Sequence, residues 1–139
     1  MKLLFINLAA VLGLAFPACS QPQPGVLASR IVIDHIFIPW EIIYGPDDHI
    51  WLTQKNGYIC RLEPNSGHLD TLYYEPQTVI QSEGGMLGMA LHPDFLTQPY
   101  VFVAYEYLSG VDYRERVIRL TYAGDSLGQA QTIFDGISG

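Results

Sequence analysis

Two strand-like runs in this chain end in matching turns, Gly45-Pro46-Asp47 and His92-Pro93-Asp94, with the two prolines 47 residues apart. The same succession surrounds each turn. In the first unit Glu41 to Tyr44 leads into the turn, and Ile50 to Thr53 then runs to Lys55-Asn56-Gly57. Asn-Gly between apolar runs is a strong hairpin signal. Tyr58 to Leu62 follows and ends at Pro64-Asn65-Ser66-Gly67, and Leu69 to Tyr74 ends near Pro76. In the second unit Met86 to Leu91, Tyr100 to Tyr107, Val117 to Tyr122 and Thr132 to Phe134 take the corresponding places, with a longer third connection from Leu108 to Glu115. Four antiparallel strands per repeat of ~40–50 residues is the blade pattern of a β-propeller. Eight or nine strands at this spacing also suit a plain antiparallel sandwich. The matched proline turns favour the propeller, so the predicted fold is all-β, with about two four-stranded blades present.

A propeller closes around its axis with at least about four blades. Two blades alone leave the inner strands and one face of each end blade uncovered. The pattern therefore reads as the start of a longer protein. A further β-branched run, Ile31 to Phe37, precedes the first blade and reads as a strand available to complete the last one.

Composition narrows the function classes. With 12% aromatic and only 15% charged residues, 13 Gly and 9 Pro, the chain suits β-structure rather than a helical bundle or a disordered segment. A net charge of -7 repels phosphate backbones, which argues against a nucleic-acid partner. The N-terminus reads as an export signal over residues 1–20: Lys2 is followed by an apolar stretch from Leu3 to Phe16, too short to span a bilayer. Ala18-Cys19 resembles a bacterial lipobox, although Phe16 and Pro17 replace the usual leucine and small residue. A lipidated Cys19 would attach the protein to a membrane, as a periplasm-facing or outer-membrane lipoprotein. The other reading is ordinary cleavage after Ser20. Residues 21–30 form a polar, proline-containing linker, and 31–139 the blade region. Cys60, the second of two cysteines, sits in a strand pattern and reads as a small buried hydrophobe.

Pro39-Trp40-Glu41-Ile42, Tyr44 to Asp47, Ile50 to Thr53, Glu83 to Phe95, Pro99 to Val103 and Arg119 to Tyr122 occur in an order that resembles the first two blades of the glucose/sorbosone dehydrogenase family, a six-bladed propeller. That resemblance implies a sugar dehydrogenase using pyrroloquinoline quinone (PQQ) and calcium. In such an enzyme a histidine base removes the proton of the anomeric hydroxyl and hydride passes to the quinone, with an external electron acceptor completing the cycle. The catalytic histidine, the calcium ligands and the cationic cofactor contacts of the family would all lie beyond Gly139. No catalytic or metal-binding residue is therefore assigned here, and the 139 residues alone are expected to be inactive. One position carries over. Glu83 matches the Gln or Glu that opens the second blade beside the cofactor, and Gly84 and Gly85 would allow close backbone approach. The same glycines equally suit tight packing around the axis.

His92 and Asp94, like Asp47, read as turn residues, the aspartates bonding their own backbone. His35, His49 and His68 lack ligand spacing. Trp40 and Trp51 fall in blade strands and read as core. The alternative to an enzyme is an exported propeller without catalysis that binds carbohydrate or protein.

Overall fold

The computed structural model describes Gly25 and residues 28 to 138; the export signal, Cys19 and most of the 21–30 linker lie outside these residues. Eight strands form two four-stranded antiparallel sheets, each in sequence order. The first holds β1 (Pro39–Tyr44), β2 (Ile50–Gln54), β3 (Tyr58–Leu62) and β4 (Leu69–Tyr74). The second holds β5 (Met86–Leu91), β6 (Tyr100–Ser109), β7 (Asp112–Tyr122) and β8 (Leu127–Ser138). These are two adjoining propeller blades.

The repeat extends to the irregularities. In β1 the register slips by one residue between Pro39 and Ile42, and in β5 it slips between Met86 and Met89, the equivalent positions. Such bulges free backbone groups that the ladder would otherwise use. Thr53, fully buried, takes up one from each blade: its hydroxyl oxygen accepts from Glu41 N at 3.1 Å, and its hydroxyl donates to Leu87 O at 2.8 Å. One hydroxyl thus joins the two inner strands while leaving no polar atom stranded.

The two sheets pack face to face. Trp51, Ile59 and Leu72 from the first meet Met86, Val101, Val103, Tyr105, Ile118 and Leu120 from the second. Trp51 lies edge-on to Phe95 at 5.3 Å and to Tyr122 at 5.0 Å, the geometry aromatic quadrupoles favour. The indole N–H of Trp51 donates to Asp47 Oδ1 (3.0 Å), and Arg61 Nε donates to Asp47 Oδ2 (2.8 Å). Asp47 was expected to bond its own turn backbone; instead its carboxylate reaches inward to these donors. Gly45 makes this possible, since a Cβ there would sit 2.5 Å from Asp47 Oδ1. His92, at the equivalent position in the second blade, accepts from Asp94 N on Nδ1 (3.1 Å), in keeping with a turn role.

Three expectations about the elements change. Ile31 to Phe37 is not a strand. Val32, Ile33 and Ile36 pack onto Leu52, Cys60 and Leu62 on the outer face of the first sheet, and Arg30 donates to the carbonyls of Pro64 and Asn65. Among the described residues the segment pairs with no strand, and its apolar side chains lie on the face against which a further blade would pack. It covers an end-blade face expected to be open. Second, the stretch from Leu108 to Glu115 is no loop: β6 and β7 form a long hairpin in which Ser109 pairs with Asp112, leaving Gly110 (φ +68°) and Val111 as the turn. Third, the last strand runs from Leu127 to Ser138, well beyond the Thr132 to Phe134 core visible as an apolar run. Its Ile133 and Phe134 remain exposed. Cys60 is fully buried, and burial pushes its thiol pKa up, as suits an inert core residue.

Candidate functional site

A cleft of about 480 Å³ opens where the chain enters the inner strands of both blades. Its walls come from three places. Trp40 stands on the bulged start of β1, and Gln81, Ser82, Glu83 and Gly84 form the turn that leads into β5. Glu106, Tyr113 and Glu115 reach in from the β6–β7 hairpin. The turn is closed by Gly84 N donating to Gln81 O at 2.7 Å. It is tied to the first blade by Lys55, whose ammonium donates to Ser82 O and lies 5.7 Å from the centre of the Trp40 ring.

Glu83 is exposed at the mouth of the cleft, while Gly84 and Gly85 are buried. The close approach these glycines permit is made by the protein itself. A Cβ on Gly84 would fall 2.1 Å from Glu106 Oε1, and one on Gly85 would fall 2.6 Å from the carbonyl oxygen of Lys55. Gly85 also sits at φ +133°, where a side chain is strained. Around it Met86 N donates to Lys55 O (3.0 Å) and Glu106 N donates to Gly85 O (2.8 Å). The first blade has the same arrangement, with Lys55 N donating to Ile38 O (3.1 Å), and Ile38 too has a positive φ, +38°. Both blades enter the inner strand through one kink; only the second has a glycine there.

Glu106 is the residue that sequence reasoning missed. It is 9% exposed, and its Oε1 is buried with no hydrogen-bond partner. Burial pushes its carboxyl pKa up; Glu115 adds to the rise and Lys55 offsets part of it. The signal was present as a lone charge inside the aromatic run Tyr105-Glu106-Tyr107. Trp40 is a correction: it was read as core, yet it is 41% exposed and lines the cleft, because the β1 bulge turns it out of the packed face. Trp51 is core, as expected.

None of the four histidines lines this cleft. His49 Nδ1 lies 2.7 Å from Asp47 O, His68 pairs with Asp70 and His35 with Asp34 on the surface. A second, open cavity of about 660 Å³ lies at the far end of the inner strands, between the two proline turns.

Two successive bulged four-stranded blades, joined face to face with a cleft at the entry of their inner strands, define a segment of a β-propeller. The sequence profile of the glucose/sorbosone dehydrogenase family matches residues 36–139, and the chain belongs to that family. It is 36% identical over 78 residues to quinoprotein glucose dehydrogenase B of Acinetobacter calcoaceticus, covering 54% of this chain and 16% of that protein. Among solved structures it is similar to the PQQ-bound aldose sugar dehydrogenase of Streptomyces coelicolor, at 28% identity and TM-score 0.68, over 78% of this chain and 33% of that one. A putative glucose dehydrogenase of Thermus thermophilus is similar at 29% identity and TM-score 0.68, over 76% of this chain and 31% of that one. The chain therefore spans no more than a third of these relatives.

Proposed function

We propose that this chain is the N-terminal part of an exported, PQQ-dependent aldose dehydrogenase that oxidises the anomeric carbon of a sugar, with Cys19 as its membrane anchor. Family membership supports the reaction class. The cleft at the entry of the two inner strands carries the assignment to particular residues, since it combines a half-exposed tryptophan with hydrogen-bond-accepting carboxylates, a surface suited to a sugar's apolar face and hydroxyls.

The quinone cofactor supplies the hydride acceptor when bound. Its carboxylates need cations around them, and the cleft is lined by Glu83, Glu106 and Glu115 with no Lys or Arg among the described residues. These residues do not fit a grip on the cofactor's carboxylates, so no step is routed through it here. Glu83 stands as a hydrogen-bonding acceptor on the pocket wall, in keeping with the position beside the cofactor expected of it, and Gly84 and Gly85 hold that wall's shape by letting Glu106 and Lys55 close against the backbone. Proton abstraction from an anomeric hydroxyl needs a base near the reacting oxygen, and no histidine among the described residues lines this cleft. Residues 1–139 by themselves are therefore inactive in this reading.

Dye reduction coupled to aldose oxidation, with quinone and calcium added, tests it. The expected result is turnover by the product of the reading frame continued past Gly139 and none by the 139-residue chain. Turnover by the short chain would remove the division of labour. A folded, continued product that oxidises no aldose would sink the dehydrogenase reading and leave a sugar- or protein-binding propeller.

A further inference from the structure

The charge of the cleft says more than that a sugar fits. Three carboxylates face it against a single nearby cation among the described residues, Lys55, whose ammonium is held at the wall by Ser82 O and the Trp40 ring. One of the three, Glu106, is more than nine-tenths buried and keeps a carboxylate oxygen without a partner. That oxygen lies against Gly84, and an acceptor left unpaired there is costly unless the flexible carboxylate turns to a donor that a ligand in the cleft supplies. The carboxylates are also spread out. Among the described residues no three acidic, imidazole or thiolate side chains converge closely enough to share one metal ion. A compact divalent cation therefore suits the cleft less well than an organic cation of some breadth. Trp40 and Tyr113, 41% and 40% exposed, offer aromatic surface beside the carboxylates. Such surface takes an apolar ring face and also attracts a nearby ammonium.

We infer that this cleft selects an amino sugar in its ammonium form, with the ammonium directed to Glu106 and Glu115, the hydroxyls to Glu83 and the ring face to Trp40. This deepens the sugar dehydrogenase reading and rests on it for the word sugar. The selection itself needs no quinone and no turnover. A neutral hexose leaves Glu106 without a charged donor, and an N-acetylated amino sugar keeps the ring while losing the charge.

The test is calorimetric titration of the product of the reading frame continued past Gly139, without added quinone and just below neutral pH, with glucosamine, glucose and N-acetylglucosamine, repeated with Glu106→Gln and Glu115→Gln. A charge-assisted hydrogen bond contributes roughly 1.5–3 kcal/mol, which corresponds to a preference of about tenfold or more for glucosamine. That preference should fall to about threefold or less in Glu106→Gln and weaken in Glu115→Gln, and it should shrink with added salt. Thermal melting shows whether each variant is folded; the half-buried Glu115 keeps the test open if Glu106→Gln is not. Equal affinity for the three sugars, no binding of any of them, or a preference untouched in both folded variants would overturn the inference. Glucose oxidation by the continued gene product alongside equal affinities removes this inference alone. A glucosamine preference without any oxidation removes the dehydrogenase reading alone.

Discussion

Gly84 and Gly85 are neighbours, yet replacing each by alanine should have very different consequences. At Gly85 the new Cβ meets the carbonyl oxygen of Lys55 at 2.6 Å, and that oxygen already accepts from Met86 N. Moving it means moving the junction between the blades. The backbone at φ +133° adds strain for any L side chain. Strain of about 1–3 kcal/mol and overpacking of about 1–3 kcal/mol together make Gly85→Ala about 2–6 kcal/mol destabilising. At Gly84 φ is not positive and the obstacle is the Glu106 carboxylate, with Oε1 at 2.1 Å and Cδ at 2.4 Å. That group is the end of a flexible side chain and has the cleft beside it, so rotation relieves most of the clash. Gly84→Ala should cost about 1–2 kcal/mol, toward the lower end of overpacking. The two differ again when Glu106 is truncated. Glu106→Ala removes the obstacle at Gly84, so the Gly84→Ala cost should largely vanish in that background, a coupling of about 1 kcal/mol within the range for touching residues. The Gly85→Ala cost should not change. Urea unfolding with a constant m value measures all of these. Equal costs at the two glycines, or a Gly84→Ala cost indifferent to Glu106, would refute the reasoning.

Ile38 offers the opposite perturbation. A β-branched residue at φ +38° carries strain of about 1–3 kcal/mol, and at 49% exposed its side chain contributes little packing. Ile38→Gly, at an entropic cost of about 0.5–1 kcal/mol, should raise stability by roughly 0.5–2 kcal/mol; a clear loss in the urea midpoint would count against the strain argument. Glu106 should also leave a mark on the pH dependence of stability. Its carboxyl pKa is raised by burial, with Glu115 adding to the shift. A raised folded-state value gives a contribution fully present below the unfolded carboxylate pKa, about 4.3, and lost as pH rises through the folded value. Glu106→Gln, which does not titrate, should therefore gain on the wild type as the pH rises above about 4.3, and thermal melting across that rise would show a flat or reversed trend if the group is not desolvated.

The blade repeat was legible because it rests on local rules. Asn56-Gly57 and the proline turns punctuate alternating β-branched and aromatic runs, and the observed strands β2, β3, β4 and β5 lie where those runs do. The family was legible for the same reason: an ordered set of short local motifs survives without knowledge of how they pack. Strand ends were less so. The β6–β7 hairpin runs through Arg114-Glu115-Arg116, a charged stretch that reads as loop, because cross-strand pairing and the Arg116–Asp135 ion pair at 3.0 Å support it where apolar alternation does not.

The lead segment and the cleft depended on tertiary structure. Ile31 to Phe37 has the composition of a strand, but a strand needs a partner edge, which the described residues do not offer it, and only the packed arrangement shows its side chains on the Leu52, Cys60 and Leu62 face. Glu83, Glu106 and Glu115 are separate in sequence and share a cleft only because a turn, a strand and a hairpin converge. By itself the sequence determined the class of fold, the repeat and the family, through periodicities that act over a few residues. Which glycine neighbours which carboxylate, and which carboxylate is buried without a partner, was decided by how the turn into β5 folds against β6, because burial and approach distance are properties of the packed structure.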